Sequence, residues 1–215
     1  MKNYGIPIAA EGWPFIIPLS IVTGLLFAFG WKNTALASLV LTLFVLFFFR
    51  DPDRAIPEGK GIVVSPADGK VIVIKDIYEP AYLKQEVKQI SIFLSVFNVH
   101  VQNAPVTGRV GFFRHTPGQY LNAMKTDSAK FNENVLIGLE VTEPPGAKMG
   151  VRLIAGLIAR RILCYVEPGA TLQRGQRYGF IRFGSRVDVY LPTDARPRVA
   201  LGDKVSASSD VLAQL

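Results

Sequence analysis

The sequence predicts a mainly β domain, sandwich- or barrel-like, carried behind an N-terminal α-helical hairpin. Three observations lead there. Between Trp13 and Phe49 the only charged residue is Lys32. After Arg50 the texture changes to short β-branched runs separated by turn residues. An apolar content of 49% coexists with a formal net charge of +7, which is reconciled when apolar and basic residues occupy different parts of the chain.

A single straight helix over Trp13–Phe49 would be roughly 55 Å long at about 1.5 Å per residue, against about 30 Å of bilayer hydrocarbon. The run is therefore expected to break at Gly30-Trp31-Lys32-Asn33, leaving Trp13–Gly30 and Thr34–Phe49 to pair as a membrane hairpin. A secretory signal begins with basic residues and ends at small ones. This run starts after Glu11 and ends in Phe47-Phe48-Phe49, so it is read as retained. Lys2 precedes the first segment, and Arg50 and Arg54 follow the second. The positive-inside tendency then puts both ends, and the domain after them, on the cytoplasmic side of the cell membrane. The competing reading is a helical hairpin buried in a soluble fold. The expected division is residues 1–50 as anchor and 51–215 as a second domain.

In the second domain the expected strands are Gly61–Val64, Val71–Ile74, Gln89–Phe93, Val135–Val141, Leu153–Ile158, Arg161–Val166, Phe180–Phe183 and Val187–Leu191. Ala81–Glu86 and Leu121–Lys130 read as short helices. The turn signals between runs suit a sandwich or barrel better than alternating β-α units. Val64–Ile74 and Val166–Phe183 have the look of β-turn-β pieces of lipoyl-type and hybrid-motif barrels, a likeness of fold that does not settle function.

Several chemistries are excluded or weakened. Cys164 is the one cysteine, so no internal disulfide forms, and its apolar surroundings mark it as a small buried hydrophobe. The two histidines, His100 and His115, have no metal-binding spacing, so no metal site is expected. Lys148–Val199 holds ten basic residues against three acidic ones. No nucleic-acid signature accompanies them, and beside an apolar hairpin an anionic lipid surface is the better partner.

The most informative stretch is Arg182-Phe183-Gly184-Ser185-Arg186-Val187-Asp188. Glycine permits unusual backbone angles without a side-chain obstruction, so the Ser185 hydroxyl could reach back to the Gly184 carbonyl. An N-to-O acyl shift, elimination and hydrolysis would then leave a pyruvoyl group on the downstream chain. Such a carbonyl forms a Schiff base with an amino substrate and accepts the electrons released with carbon dioxide. The plain alternative for Gly184-Ser185 is a β-bulge or turn between strands.

Wider context distinguishes the two. The ordered set Phe48-Phe49-Arg50-Asp51-Pro52, Ser65-Pro66-Ala67-Asp68-Gly69, Phe97-Asn98-Val99-His100-Val101, Pro117-Gly118, Asn132-Glu133-Asn134, Gly156-Leu157-Ile158-Ala159-Arg160 and Arg182-Phe183-Gly184-Ser185 resembles the short, pyruvoyl-dependent proenzyme form of the phosphatidylserine decarboxylase family. The resemblance implies cleavage at Gly184/Ser185 into a β chain of residues 1–184 and an α chain of residues 185–215. The two would stay together as a heterodimer, with a higher oligomer left open. It implies a covalent pyruvoyl cofactor made from Ser185, a phospholipid substrate at the membrane, and conversion of phosphatidylserine to phosphatidylethanolamine.

It also implies an Asp68-His100-Ser185 arrangement for self-cleavage. Longer family members carry a second histidine, at the position read here as Asn103, so the division of labour at His100 stays open between self-cleavage and protonation of the product. Phe112, Phe113 and Phe47–Phe49 are expected to flank the lipid entrance. Two rivals need other features. A lipoyl-type carrier or adaptor needs a lysine at a hairpin tip, and the nearest candidate is Lys125. A metallopeptidase needs a ligand cluster.

Overall fold

The structure, a computed structural model, describes residues 7–119, 121, 131–156, 161–182 and 184–215. The chain divides into two compact units, Met1–Asp53 and Arg54–Leu215. The expected helix Leu121–Lys130, the end of the expected strand Leu153–Ile158, Lys125 and Phe183 lie largely or wholly outside the described residues.

In the first unit a 3₁₀ turn, Ala10–Gly12, leads into α1, Trp13–Ala28. A reversal at Gly30, whose φ is +78°, then leads into α2, Lys32–Phe48. Pro14 sits in the first turn, where a missing N–H costs little. Thr23 Oγ1 lies 2.7 Å from Ser38 Oγ and 3.1 Å from Thr42 Oγ1. Thr23 and Thr42 are buried, while Ile17, Ile21, Leu25, Leu36, Val40 and Leu43 are exposed. Hydroxyls inside and apolar side chains outside invert the pattern of a soluble hairpin. With its leading turn, α1 forms a run of 19 residues, Ala10–Ala28, long and apolar enough to cross a membrane. The Ala9 N–H donates to the Phe49 carbonyl and the Asp51 N–H to the Pro7 carbonyl, each at 2.7 Å, which ties the hairpin's ends together.

The second unit is mainly β among the described residues. Its strands are β1 (Ile62–Val64), β2 (Gly69–Glu79), β3 (Gln85–Leu94), β4 (Val101–Asn103), β5 (Gly108–Thr116), β6 (Asn134–Val141), β7 (Lys148–Ile154), β8 (Ile162–Cys164), β9 (Thr171–Leu172), β10 (Arg177–Ile181), β11 (Ser185–Leu191), β12 (Arg196–Pro197), β13 (Lys204–Val205) and β14 (Val211–Gln214). The large sheet runs β13-β2-β3-β11-β7-β6-β5-β9, and two small sheets run β4-β10-β8 and β1-β14-β12. Register shifts at Val71/Val73 and Val110/Phe112 mark bulges that bend β2 and β5. The predicted mainly β fold with a leading helix pair is what forms.

Strand alternation builds the core. Ile90, Ile92 and Leu94 of β3, Val187, Val189 and Leu191 of β11, and Met149, Val151 and Leu153 of β7 share one face in a single apolar cluster. All seven residues of β11 are buried, as befits the strand between β3 and β7.

Two expectations change. Ala81–Glu86 is no helix: Ala81–Leu83 form a turn and Gln85 already belongs to β3. The Glu79 carboxylate accepts the N–H groups of Ala81, Tyr82 and Leu83 at 2.8–3.0 Å, as at a helix start, but Lys84 at φ 52° reverses the chain into a hairpin. Strand β5, like the short β4, β9, β12, β13 and β14, lies outside the expected strands, and in β5 Arg109, Gly111, Arg114 and His115 interrupt the apolar pattern.

Candidate active site

Three turns meet at the start of β11. The first is Ser65–Gly69. Its hydroxyl at Ser65 donates to the Ala67 carbonyl at 2.6 Å, and the Asn103 N–H donates to the Pro66 carbonyl at 2.9 Å. Gly69 ends the turn where a Cβ would overlap the Phe93 carbonyl oxygen, so no larger residue fits. This close approach holds Asp68 in place.

Asp68 is buried and heavily bonded. Arg54 grips it with both guanidinium nitrogens, Nη1 on Oδ1 and Nη2 on Oδ2, the latter at 2.9 Å. The Ala207 N–H donates to Oδ1 at 2.8 Å and the Val99 N–H to Oδ2 at 3.4 Å. Arg54 Nη1 also donates to the Ala207 carbonyl at 3.0 Å. The carboxylate thus fastens the backbone one residue ahead of His100.

The second turn, Ser95–Asn98, is closed by the Asn98 side chain, whose Oδ1 accepts the Ser95 N–H at 2.9 Å and the Ser95 hydroxyl at 2.7 Å. The Asn98 carbonyl in turn lies 2.8 Å from Nδ1 of the fully buried His100. A carbonyl only accepts, so Nδ1 carries the proton and Nε2 keeps its lone pair. Nε2 faces the Gly184 amide, which donates to it at 3.4 Å. The Ile181 N–H donates to the His100 carbonyl at 3.2 Å, so β10 delivers the chain to the same place.

The third turn contains Gly184, at φ +65° in the left-handed region, with open space where a Cβ would be. Ser185 follows as the first residue of β11, paired with Leu94 of β3. It is fully buried, and its hydroxyl oxygen has no hydrogen-bond partner among the described residues. Such a hydroxyl costs about 1–3 kcal/mol and calls for an explanation.

The structure therefore gathers Ser185, Gly184, His100 and, through Val99, Asp68. Other residues fall elsewhere. The Asn103 amide donates to the Gly175 carbonyl at 2.9 Å. His115 pairs with Glu133 at 3.1 Å on the surface. Burial pushes the Cys164 thiol up, against nucleophilic use. Phe112 stacks on Tyr82 at 5.4 Å between centroids, and Phe113 packs on the core. The exposed aromatic three residues before His100 is Phe97. No cluster of metal ligands occurs among the described residues.

The residue that the sequence reading used only as a topology signal is Arg54. Its place two residues after the resembling stretch Phe48–Pro52 is the available hint. The basic segment also proves less of a face than its count suggested, since Arg186 is buried against Asp188 at 2.6 Å.

The phosphatidylserine decarboxylase family model matches residues 41–213. A phosphatidylserine decarboxylase proenzyme from Paraburkholderia phymatum is 49% identical, with 99% of this chain and all of the relative covered. A protein of the same name from Geotalea uraniireducens is 50% identical over 99% of this chain and 98% of its own length. One from Aromatoleum aromaticum is 49% identical over all of this chain and 99% of its own.

Proposed function

The chain belongs to the phosphatidylserine decarboxylase family, and from that premise we propose that this decarboxylase cuts itself between Gly184 and Ser185, carries a pyruvoyl group made from Ser185, and converts a serine phospholipid to its ethanolamine counterpart and carbon dioxide. The observation that carries the reading is the buried, unpartnered Ser185 hydroxyl directly after a left-handed glycine whose amide faces His100 Nε2.

In the self-cleavage step, Ser185 Oγ attacks the Gly184 carbonyl carbon as its proton passes to His100 Nε2. The Gly184–Ser185 C–N bond breaks, an ester joins Gly184 to Oγ, and the proton moves on to the freed nitrogen. Loss of the Cα proton with breakage of Cβ–Oγ leaves Gly184 as a carboxylate and dehydroalanine at 185. Water then displaces that nitrogen as ammonia and leaves the pyruvoyl carbonyl. Once formed, this group supplies an electrophile for the substrate amine and a sink for the electrons released with carbon dioxide.

The chain's own residues supply the rest. The Asn98 carbonyl keeps His100 in the tautomer with a free Nε2. Arg54 and Asp68 fix the preceding backbone. The position a Gly184 Cβ would take is open space. The apolar hairpin anchors the enzyme in the cell membrane, with the domain on the cytoplasmic side beside its lipid substrate, as Arg50 after α2 favours.

Intact mass spectrometry of the purified protein beside a Ser185→Ala control tests this reading. Two chains meeting at Gly184/Ser185, the smaller blocked by pyruvoyl, are expected in the wild type and a single chain in the control. A folded, membrane-associated wild type that remains uncut overturns it.

A further inference from the structure

One residue past the candidate cleavage point, β11 carries a charged network on the face opposite Ser185. Arg186 and Asp188 lie two apart and so share a face, yet they are only 2% and 0% exposed. Arg186 Nε donates to Asp188 Oδ1 at 2.6 Å, and Nη2 donates to Asp188 Oδ2 at 3.2 Å and to Ser91 Oγ at 3.0 Å. Ser91 stands opposite Asp188 in the β3–β11 register and also accepts Gln89 Nε2 at 2.8 Å. The Tyr190 hydroxyl donates to Asp188 Oδ2 at 3.4 Å.

A buried ion pair is a poor way to stabilise a strand, because well-packed apolar replacements are often as stable or more so. What it does provide is register. A one-residue slip of β11 would drive Arg186 and Asp188 into the apolar core where Val187 and Val189 now pack. Register matters most at the start of this strand. Ser185 pairs with Leu94 on one side only, and pairing with β7 begins at Arg186, opposite Ile154.

We propose that Arg186, Asp188 and Ser91 form a register lock: positioning residues that hold the newly made end of the α chain once the Gly184–Ser185 bond is cut. The inference rests on the self-cleavage reading. Before cleavage the covalent link to Gly184 holds residue 185 from one side and the sheet from the other. Afterwards residue 185 is a chain end, and chain ends fray unless tied down. Arg186 is the first side chain inward of that end with cross-strand anchorage. Without it the pyruvoyl carbonyl would wander from the groups around His100.

The test uses the full-length protein with the double change Arg186→Met and Asp188→Leu, which removes both charges and so leaves neither buried alone. Hydrogen exchange of the peptide that begins at residue 185 is followed by mass spectrometry, in cut protein and in an uncut Ser185→Ala background, beside kcat and KM. In cut protein the double change is expected to speed exchange of the first α-chain amides about tenfold and to lower kcat more than it moves KM. In the uncut background exchange should not change. Ser91→Ala, which removes only the cross-strand link, should act in the same direction by about threefold and covers the case of a double variant that does not fold. Equal exchange in all cut forms, or the same increase in cut and uncut protein, overturns the lock. A wild type that stays uncut refutes the self-cleavage reading itself, so the two failures are told apart by intact mass.

Discussion

Replacing Arg54 by alanine removes the forked partner of Asp68, and the size of the effect follows from how that pair is housed. Its two side chains are 19% and 11% exposed. Breaking a fully buried pair costs about 3–5 kcal/mol, and an exposed pair contributes about 0–1 kcal/mol. This pair is mostly buried, but the Val99 and Ala207 amides still hold the carboxylate after the guanidinium is gone. A loss of roughly 2–3 kcal/mol is therefore expected. At about 2–4 °C per kcal/mol for a domain of this size, the melting temperature should fall by about 4–12 °C. Thermal unfolding in the Ser185→Ala background measures this without interference from cleavage. Arg54→Lys keeps the charge but not the fork and should recover about half of the loss. A double-mutant cycle with Asp68→Asn should give a coupling of at least about 1 kcal/mol. Melting within about 2 °C of the parent, or coupling below about 0.5 kcal/mol, would refute the clamp. In a cleavable background the same variant should slow self-cleavage, because Asp68 holds Val99 beside His100.

Three further outcomes are expected. His100→Ala should slow self-cleavage about 10²–10⁴-fold, measured as the fraction of cut chain over time, and a change under threefold would remove the histidine from that role. Glu79 is a pH case. Burial alone would raise its pKa, but the N–H groups of Leu83, Tyr82 and Ala81 and the charge of Arg152 outweigh that and hold it below its ordinary value near 4.5. A folded value below the unfolded one means that its stabilisation is complete above that range and is lost as pH falls through the folded value. Glu79→Gln should therefore cost about 1–3 kcal/mol at pH 7, with the deficit closing in acid; an offset that stays constant into acid would contradict this. Exchanging the hairpin for a soluble chain should sharply lower activity on bilayer phospholipid and spare a short-chain soluble analogue, whereas an equal fall on both would make the hairpin structural.

How much was legible in the sequence depended on whether the deciding partner was local. The alternation Val187, Val189, Leu191 announces a half-apolar strand by itself, and the lone Lys32 amid apolar residues announces the hairpin. Strand β5 hid because a bulge at Val110/Phe112 breaks its period and Gly111 adds no pattern. The segment Ala81–Glu86 has helix-forming composition, and only the backbone at Lys84 turns it into a hairpin. Arg54 sits next to the apolar run and passes for a flanking charge. Its partners are Asp68, 14 positions on, and the Ala207 carbonyl, 153 positions on, which no local pattern reveals. Arg186 and Asp188 fall within the basic segment Lys148–Val199 and pass for surface charges for the same reason: a two-residue period says that they share a face, not which face is buried. The Gly184-Ser185 pair carried almost no signal alone and drew its meaning from the ordered motifs around it.

The position of the proposed cleavage point would allow the chain to be cut there and keep its fold. The piece from Ser185 onward is threaded through two sheets, with β11 between β3 and β7, β13 on β2, and β14 on β1. It puts Val187, Val189, Leu191, Val205, Leu212 and Ala213 into the core formed by the earlier part of the chain. Burial of these side chains contributes on the order of 10 kcal/mol, as large as the whole net stability of a typical domain. The piece therefore cannot leave without unfolding the unit. A bond at the mouth of a central strand is one of the few that can be broken with the fold intact, because the strand on its far side is held from both flanks. In the self-cleavage reading the same placement would put the new chain end beside the turn that holds His100, whose Nε2 accepts the Gly184 N–H.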